Sequence, residues 1–109
     1  DIEQINVLFD VLIEETPLEK EIKNLVILKK SLLNADNYDE GKMLSILNPL
    51  INSESVWKSH ALHLMAEFFY DKNEKEKAKE FFKKILIDQE SNKDIIYQAQ
   101  QRLRSLLSE

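Results

Sequence analysis

One stretch of the sequence, from Leu62 to Ile85, constrains the fold more than any other. Its apolar residues fall into two sets of three on either side of a polar break at residues 71–73. The sets are Leu62, Ala66 and Phe69, then Ala78, Phe82 and Ile85. Spacings of three and four residues place side chains on one face of an α-helix. Because so short a break can join only neighbouring helices, the stretch predicts one antiparallel helix pair.

The same pattern continues along the rest of the chain. It predicts six helices, covering residues 2–15, 17–34, 38–51, 56–71, 74–88 and 93–107. The turns recur about every 18 residues, so that two helices form a unit of roughly 34–37 residues. At the second helix, Thr16 is expected to be the N-cap and Pro17 the first helical residue. Pro49 is expected to end or kink the third helix near its last turn.

The apolar residues of the other helices are also expected to face inward. In the first three helices they are Ile5, Leu8, Phe9, Leu12, Ile13, Leu18, Ile22, Leu25, Val26, Ile27, Leu28, Leu32, Leu33, Met43, Leu44, Ile46, Leu47, Leu50 and Ile51. In the last two they include Phe81, Leu86, Ile95, Ile96, Ala99, Leu103, Leu106 and Leu107. The set on the second helix is wider than one stripe, which predicts a helix covered on two sides. Trp57 is expected to belong to the core rather than to stand as an exposed anchor.

Composition excludes several classes of function. The net charge of −5 disfavours a nucleic-acid partner, because phosphate binding needs a positive face. Five lysines lie between positions 75 and 84, but Glu74, Glu76 and Glu80 alternate with them, so a mixed solvated face is expected. The chain has no Cys, which excludes disulfides, thiolate zinc sites and thiol catalysis. No apolar run approaches the roughly 20 residues of a membrane span.

Residues 59–88 resemble a tetratricopeptide repeat (TPR). In that family a large, a small and an aromatic residue follow one another down the first helix, and a small residue opens the second helix. Leu62, Ala66, Phe69 and Ala78 match those positions, and Phe82 and Ile85 follow them. The chain departs from the family at Leu62, Asn73 and Glu90, where Trp, Gly and Pro are usual. The fold class expected is therefore all-α, with helix pairs stacked as a short TPR-like right-handed α-solenoid of about six helices.

A closer resemblance covers most of the chain. Its landmarks are Ile46-Leu47-Asn48-Pro49-Leu50, Trp57, Ala61-Leu62, the paired Phe within residues 79–84, and residues 97–103. Together they resemble the C-terminal half of the TPR-like domain of bacterial single-span inner-membrane proteins, a group that includes the ancillary subunit of the Sec translocon. The resemblance implies a periplasmic location and translocon or chaperone partners; the cytoplasm is the alternative. Residues 1–109 are expected to form a single TPR-like domain. Because residue 1 is Asp rather than Met, the chain is expected to be a piece of a longer protein, with any anchor upstream.

Four polar residues on the fourth helix form the candidate binding groove. His60, His63, Glu67 and Tyr70 share one face, which would line the concave side of a TPR-like solenoid. An ordinary solvated face is the alternative. A zinc site is disfavoured, because the two histidines are three residues apart and no other His or Cys exists to complete the ligand shell. The sequence therefore predicts no metal and no cofactor.

The expected function is a non-catalytic protein-interaction module that binds a protein or peptide. No nucleophile–base pair is readable, so an enzyme is not expected. No contact of this chain with a membrane is expected either. The alternative is a structural stacking or homodimerisation domain of a larger envelope protein, because the first helix carries the apolar residues Ile2, Ile5, Leu8 and Phe9.

Overall fold

The computed structural model describes residues 1–108, and within them it contains six α-helices and no β-strand. The helices are α1 (Ile2–Glu14), α2 (Lys20–Leu33), α3 (Glu40–Ile51), α4 (Lys58–Asp71), α5 (Lys75–Ile87) and α6 (Lys93–Leu107). The predicted all-α class and the number of helices are confirmed, and the bounds of α6 are those predicted. α3 ends at Ile51, two residues after Pro49.

The predicted start of the second helix is wrong. Its N-cap is Glu19, whose carboxylate accepts hydrogen bonds from the backbone N–H groups of Glu21 (3.0 Å) and Ile22 (3.2 Å). The hydroxyl of Thr16 instead donates to the carbonyl of Val11 at 3.0 Å, beside the end of α1. Thr16 therefore finishes one helix rather than starting the next, and Pro17 lies outside both.

The helices form two compact units. The first unit, Asp1–Trp57, contains α1, α2 and α3, and the second unit begins at Lys58 and contains α4, α5 and α6. In the second unit each helix packs on both of the others. Its core contains all six residues that define the Leu62–Ile85 pattern, each at most 2% exposed, together with four residues of α6. The α6 residues are Ile95, Ala99, Leu103 and Leu106.

A left-handed residue ends α4 and sets the turn into α5. Asn73 has φ of 61°, a conformation that Asn tolerates better than most residues other than Gly. Its N–H donates to the carbonyl of Tyr70 at 3.0 Å, and the N–H of Glu74 donates to the carbonyl of Phe69 at 2.9 Å. These two bonds form a Schellman motif, which satisfies carbonyls that the end of α4 would otherwise leave unpaired. Asn73 therefore adopts the left-handed conformation for which Gly is usual in this turn.

The first unit buries much less apolar surface on its first two helices. α1 packs on α2, and α2 packs on α3, yet α1 contains no buried residue. Two of the three buried residues of α2 are polar, Asn24 and Ser31, and only α3 contributes an apolar set. That set is Met43, Leu47 and Leu50.

Several apolar residues that were expected to face inward are exposed. They are Ile5, Leu8, Leu12, Ile22, Leu32 and Leu33 in the first unit and Leu86 and Leu107 in the second. Polar side chains take their place in holding α1 to α2. The amides of Asn6 and Asn34 exchange two hydrogen bonds, of 2.8 and 2.7 Å, and Lys30 pairs with Asp10 at 2.5 Å. Side-chain polar groups thus contribute to the contact of α1 with α2, and an apolar stripe does not reveal them.

No helix within residues 1–108 has both the length and the apolar character that are needed to cross a membrane.

Candidate functional site

The polar face of α4 is half-buried. Its opposite side carries seven buried residues, and His60, His63, Glu67 and Tyr70 remain at the surface with intermediate exposure. The structure brings two of these four side chains, Glu67 and Tyr70, together around a residue of α6, Arg102.

Arg102 is held by two different contacts. Its Nε lies 3.0 Å from both carboxylate oxygens of Glu67, and its Nη2 lies 2.9 Å from Oε1 of the same group. Its guanidinium carbon is 4.1 Å from the centre of the Tyr70 ring. Hydrogen bonding to Glu67 raises the pKa of Arg102 further, although partial burial opposes the shift. The guanidinium therefore stays charged and fixed in orientation.

The contribution of this ion pair to stability is modest. The side chains of Glu67 and Arg102 remain 26% and 40% exposed, and pairs that water reaches contribute about 0–1 kcal/mol. Its main effect is therefore geometric, because it orients a planar donor group between α4 and α6.

A shallow open pocket of about 260 Å³ lies beside this pair. It is lined by Glu67 of α4 and by five residues of α6, Tyr97, Gln98, Gln101, Arg102 and Ser105. Only Glu67 and Arg102 among them carry a charge, and they neutralise each other. The volume lies below the roughly 300–1,000 Å³ of pockets that enclose a small molecule, so the site suits part of a longer chain better than a whole small ligand.

His60 and His63 lie outside the lining of this pocket. The ring of His63 is tilted against that of Phe82, with 6.4 Å between the ring centres, and its Nε2 is buried without a hydrogen-bond partner within residues 1–108. Burial lowers the pKa of His63; Glu67 opposes this shift, and Arg102 and His60 add to it. Burial lowers the pKa of His60 as well. Both shifts favour the uncharged form of the ring, and His63 packs as an aromatic side chain.

The mixed charges of α5 also have a structural explanation. Lys77, Lys79 and Lys84 pair with Glu74, Glu76 and Glu80, as the alternating charges of α5 predicted. Among residues 1–108 there is no group of three or more His, Cys, Asp or Glu side chains that could hold a metal ion.

Trp57 is half-buried and hydrogen-bonded within the first unit. Its indole N–H donates to the carbonyl of Glu21 at 2.9 Å. The carboxylate of Glu21 accepts from the Ser55 hydroxyl at 2.7 Å and from the backbone N–H of Val56 at 3.1 Å. Hydrogen bonds from Asn24 and Ser55 lower the pKa of Glu21. Trp57 is therefore a fixed side chain of the first unit, although it is not fully enclosed in the core as the sequence predicted.

Sequence reasoning missed Arg102 and the other α6 residues of the pocket. A signal for Arg102 was present, because Glu67 and Arg102 are 35 residues apart, within the repeat length read from the turns. Residues one repeat apart occupy equivalent positions on successive helix pairs, so opposite charges at that separation are candidates for pairing. Tyr97, Gln98, Gln101 and Ser105 had no comparable signal, since polar residues on one exposed helix face are common.

Comparison with protein-family models, with curated proteins and with solved structures found no match to this chain.

Proposed function

We propose that this protein is a non-catalytic protein-interaction module with TPR-like stacking of its helices. In this proposal the partner binds across α4 and α6, at the pocket beside Glu67 and Arg102. The observation that supports it best is the fixed Arg102, which is paired with Glu67 and stacked on Tyr70 at the edge of an open pocket. A preorganised surface of this kind lowers the entropy cost of binding.

The chemistry of the pocket favours binding over catalysis. Its nucleophile candidate, Ser105, has no histidine beside it in the pocket lining to act as a base. Glu67, the carboxylate that could act as a base, is already paired with Arg102. The charges of the pocket are thus used to position side chains rather than to transfer a proton.

The compartment and the class of partner are proposed on the sequence resemblance alone. We place the protein on the periplasmic side of a bacterial inner membrane, with translocon or chaperone components as partners. Fractionation of cells that express the full-length gene product tests this placement, and recovery in the cytoplasm alone would contradict it.

Site-specific crosslinking tests the binding site itself. A photoreactive amino acid at position 101 would lie in the pocket, and the adjacent Gln100 offers a matched control because it lies outside the lining. We expect one defined protein to crosslink through position 101 in cells and no such product through position 100. Equal products from both positions would contradict the proposed site.

A second function, homodimerisation, is favoured by one observation. α1 exposes five apolar side chains, and Val7 and Leu8 are more than 60% exposed. The five are Ile5, Val7, Leu8, Val11 and Leu12. Sedimentation over a wide range of concentrations tests this alternative, with the Leu8→Glu variant as the comparison. A wild type that stays monomeric throughout would exclude it.

A further inference from the structure

We infer that the pocket between α4 and α6 recognises the main chain of an extended peptide rather than a charged side chain. This inference rests on the proposed function, and it specifies the chemistry of the partner. Three properties of the pocket carry it: its charge balance, the pair of side-chain amides on α6, and the free edge of the Arg102 guanidinium.

The charge balance argues against an anionic or cationic ligand. Arg102 is the one cation among the lining residues, and Glu67 already binds it through both carboxylate oxygens. Asp71 is also close enough to act on Arg102 electrostatically, and it adds negative charge that would repel a carboxylate or phosphate. A lysine on the ligand would have to compete with Arg102 for Glu67. A neutral ligand meets neither cost.

The amides of Gln98 and Gln101 match the hydrogen-bonding groups of a peptide. Each amide offers one acceptor and two donor hydrogens, and neither makes a hydrogen bond within residues 1–108. The two residues are three apart on α6, which places their Cβ atoms about 5–6 Å from each other on one face. An extended chain presents its N–H and C=O groups on the same side every second residue, or about 6.7 Å. Flexible glutamine side chains can span the difference.

Arg102 adds a fixed donor to this surface. Its bonds to Glu67 use Nε and Nη2, and Nη1 makes no hydrogen bond within residues 1–108. Nη1 can therefore donate to a peptide carbonyl while the ion pair stays intact. Tyr97 is 62% exposed at the same pocket and supplies a ring on which a small side chain or a Cα can pack. The site thus offers contacts that depend little on the ligand sequence.

Titration by NMR on the 109-residue chain tests the inference. The probes are blocked, unstructured decapeptides: one of Gly, Ser, Asn and Thr, two with evenly spaced Glu or Lys, and one neutral peptide N-methylated at alternate residues. The signals to follow are the side-chain amides of Gln98 and Gln101 and the Nε–H of Arg102. We expect all three unmethylated peptides to shift these signals, because the main chain is common to all, and the neutral peptide to bind at least as tightly as the two charged ones.

N-methylation should weaken binding more than tenfold, because it removes main-chain donors. Gln101→Ala should weaken binding at least fivefold, whereas the matched control Gln100→Ala should leave it unchanged. If only the Glu or only the Lys peptide shifts the pocket signals, the main-chain inference is wrong and the interaction module stands. If N-methylation has no effect, the inference is equally wrong. If no peptide shifts the pocket signals at millimolar concentration, both the inference and the proposed binding site fail.

Discussion

Each of the two units has a different kind of contact between its own helices. In the second unit, α4, α5 and α6 contribute seven, four and four buried residues, and nearly all are apolar. In the first unit, α1 contributes none, and the contact of α1 with α2 includes the Asn6–Asn34 amide pair and the Lys30–Asp10 ion pair. Similar apolar patterns in the two halves of a sequence therefore led to different packing.

The difference has a physical basis. Ala66 and Ala78 are fully buried in the second unit, and side chains this small let helices approach closely enough for large residues to interdigitate. α1 and α2 have no comparable pair of small buried residues. Their contact gains specificity from directional hydrogen bonds, which fix the register but bury little apolar area.

The largest expected effect is the loss of stability when a core side chain of the second unit is removed, compared with an exposed side chain of α1. Phe82→Ala removes a fully buried ring and should lower the free energy of unfolding by about 3–5 kcal/mol. Leu8→Ala, at a side chain that is 64% exposed, should change it by less than about 0.5 kcal/mol. Urea unfolding followed by circular dichroism measures both. A cost above about 1 kcal/mol for Leu8→Ala would mean that a second molecule covers α1.

The amide pair of the first unit gives the next largest effect. Asn34 is 2% exposed, so Asn34→Ala should cost about 1–3 kcal/mol, because it leaves Asn6 without its partner. A double-mutant cycle with Asn6→Ala should show coupling of at least about 0.5 kcal/mol. If the losses of unfolding free energy in the two single variants simply added in the double variant, the two amides would not interact.

The turn after α4 tests whether backbone conformation also matters to the second unit. Asn73→Val places a β-branched residue at φ of 61° and should cost about 1–2 kcal/mol. Asn73→Gly serves as the control, because Gly adopts this conformation without strain, and it should be close to neutral. Thermal unfolding of the two variants decides the matter, and equal losses would argue against the left-handed cap.

The smallest expected effect is a dependence on pH in the second unit. Burial lowers the pKa of His63 in the folded chain below the usual 6.5 of the unfolded chain. At a pH between these two pKa values, the unfolded chain therefore binds more protons than the folded chain. This contribution to stability is present above pH 6.5 and is lost as pH falls through that value towards the folded-state pKa. Unfolding free energies at about pH 7.5 and 5.5 measure it. His63→Gln should reduce the slope and leave the part due to His60, whose pKa is also lowered by burial; an unchanged slope would exclude His63 as a source.

The sequence predicted the second unit well for a definable reason. The residues Leu62, Ala66 and Phe69 were assigned to the core by their helical spacing, and all three are buried. Helical spacing reports on apolar burial, and apolar burial is what forms this unit. The same rule failed for Leu8 and Leu32, which are exposed although their spacing matches a helical stripe.

The candidate site was only partly predictable. Glu67 and Tyr70 were chosen for their shared face, and the structure does bring them together. Arg102 was missed because it lies on another helix, and the shared-face rule that selected Glu67 and Tyr70 relates residues of one helix only. The ring of His63 is tilted against that of Phe82, and no local sequence pattern predicts this rotamer.

The hydrogen-bonded indole of Trp57 provides an optical probe of the first unit. The chain has one tryptophan, and its N–H is bonded to the carbonyl of Glu21. Its fluorescence should therefore follow the loss of structure around α2, while circular dichroism follows all six helices together. Two superimposable melting curves would mean that the units unfold cooperatively, and two separate curves would give the stability of each unit without any mutation.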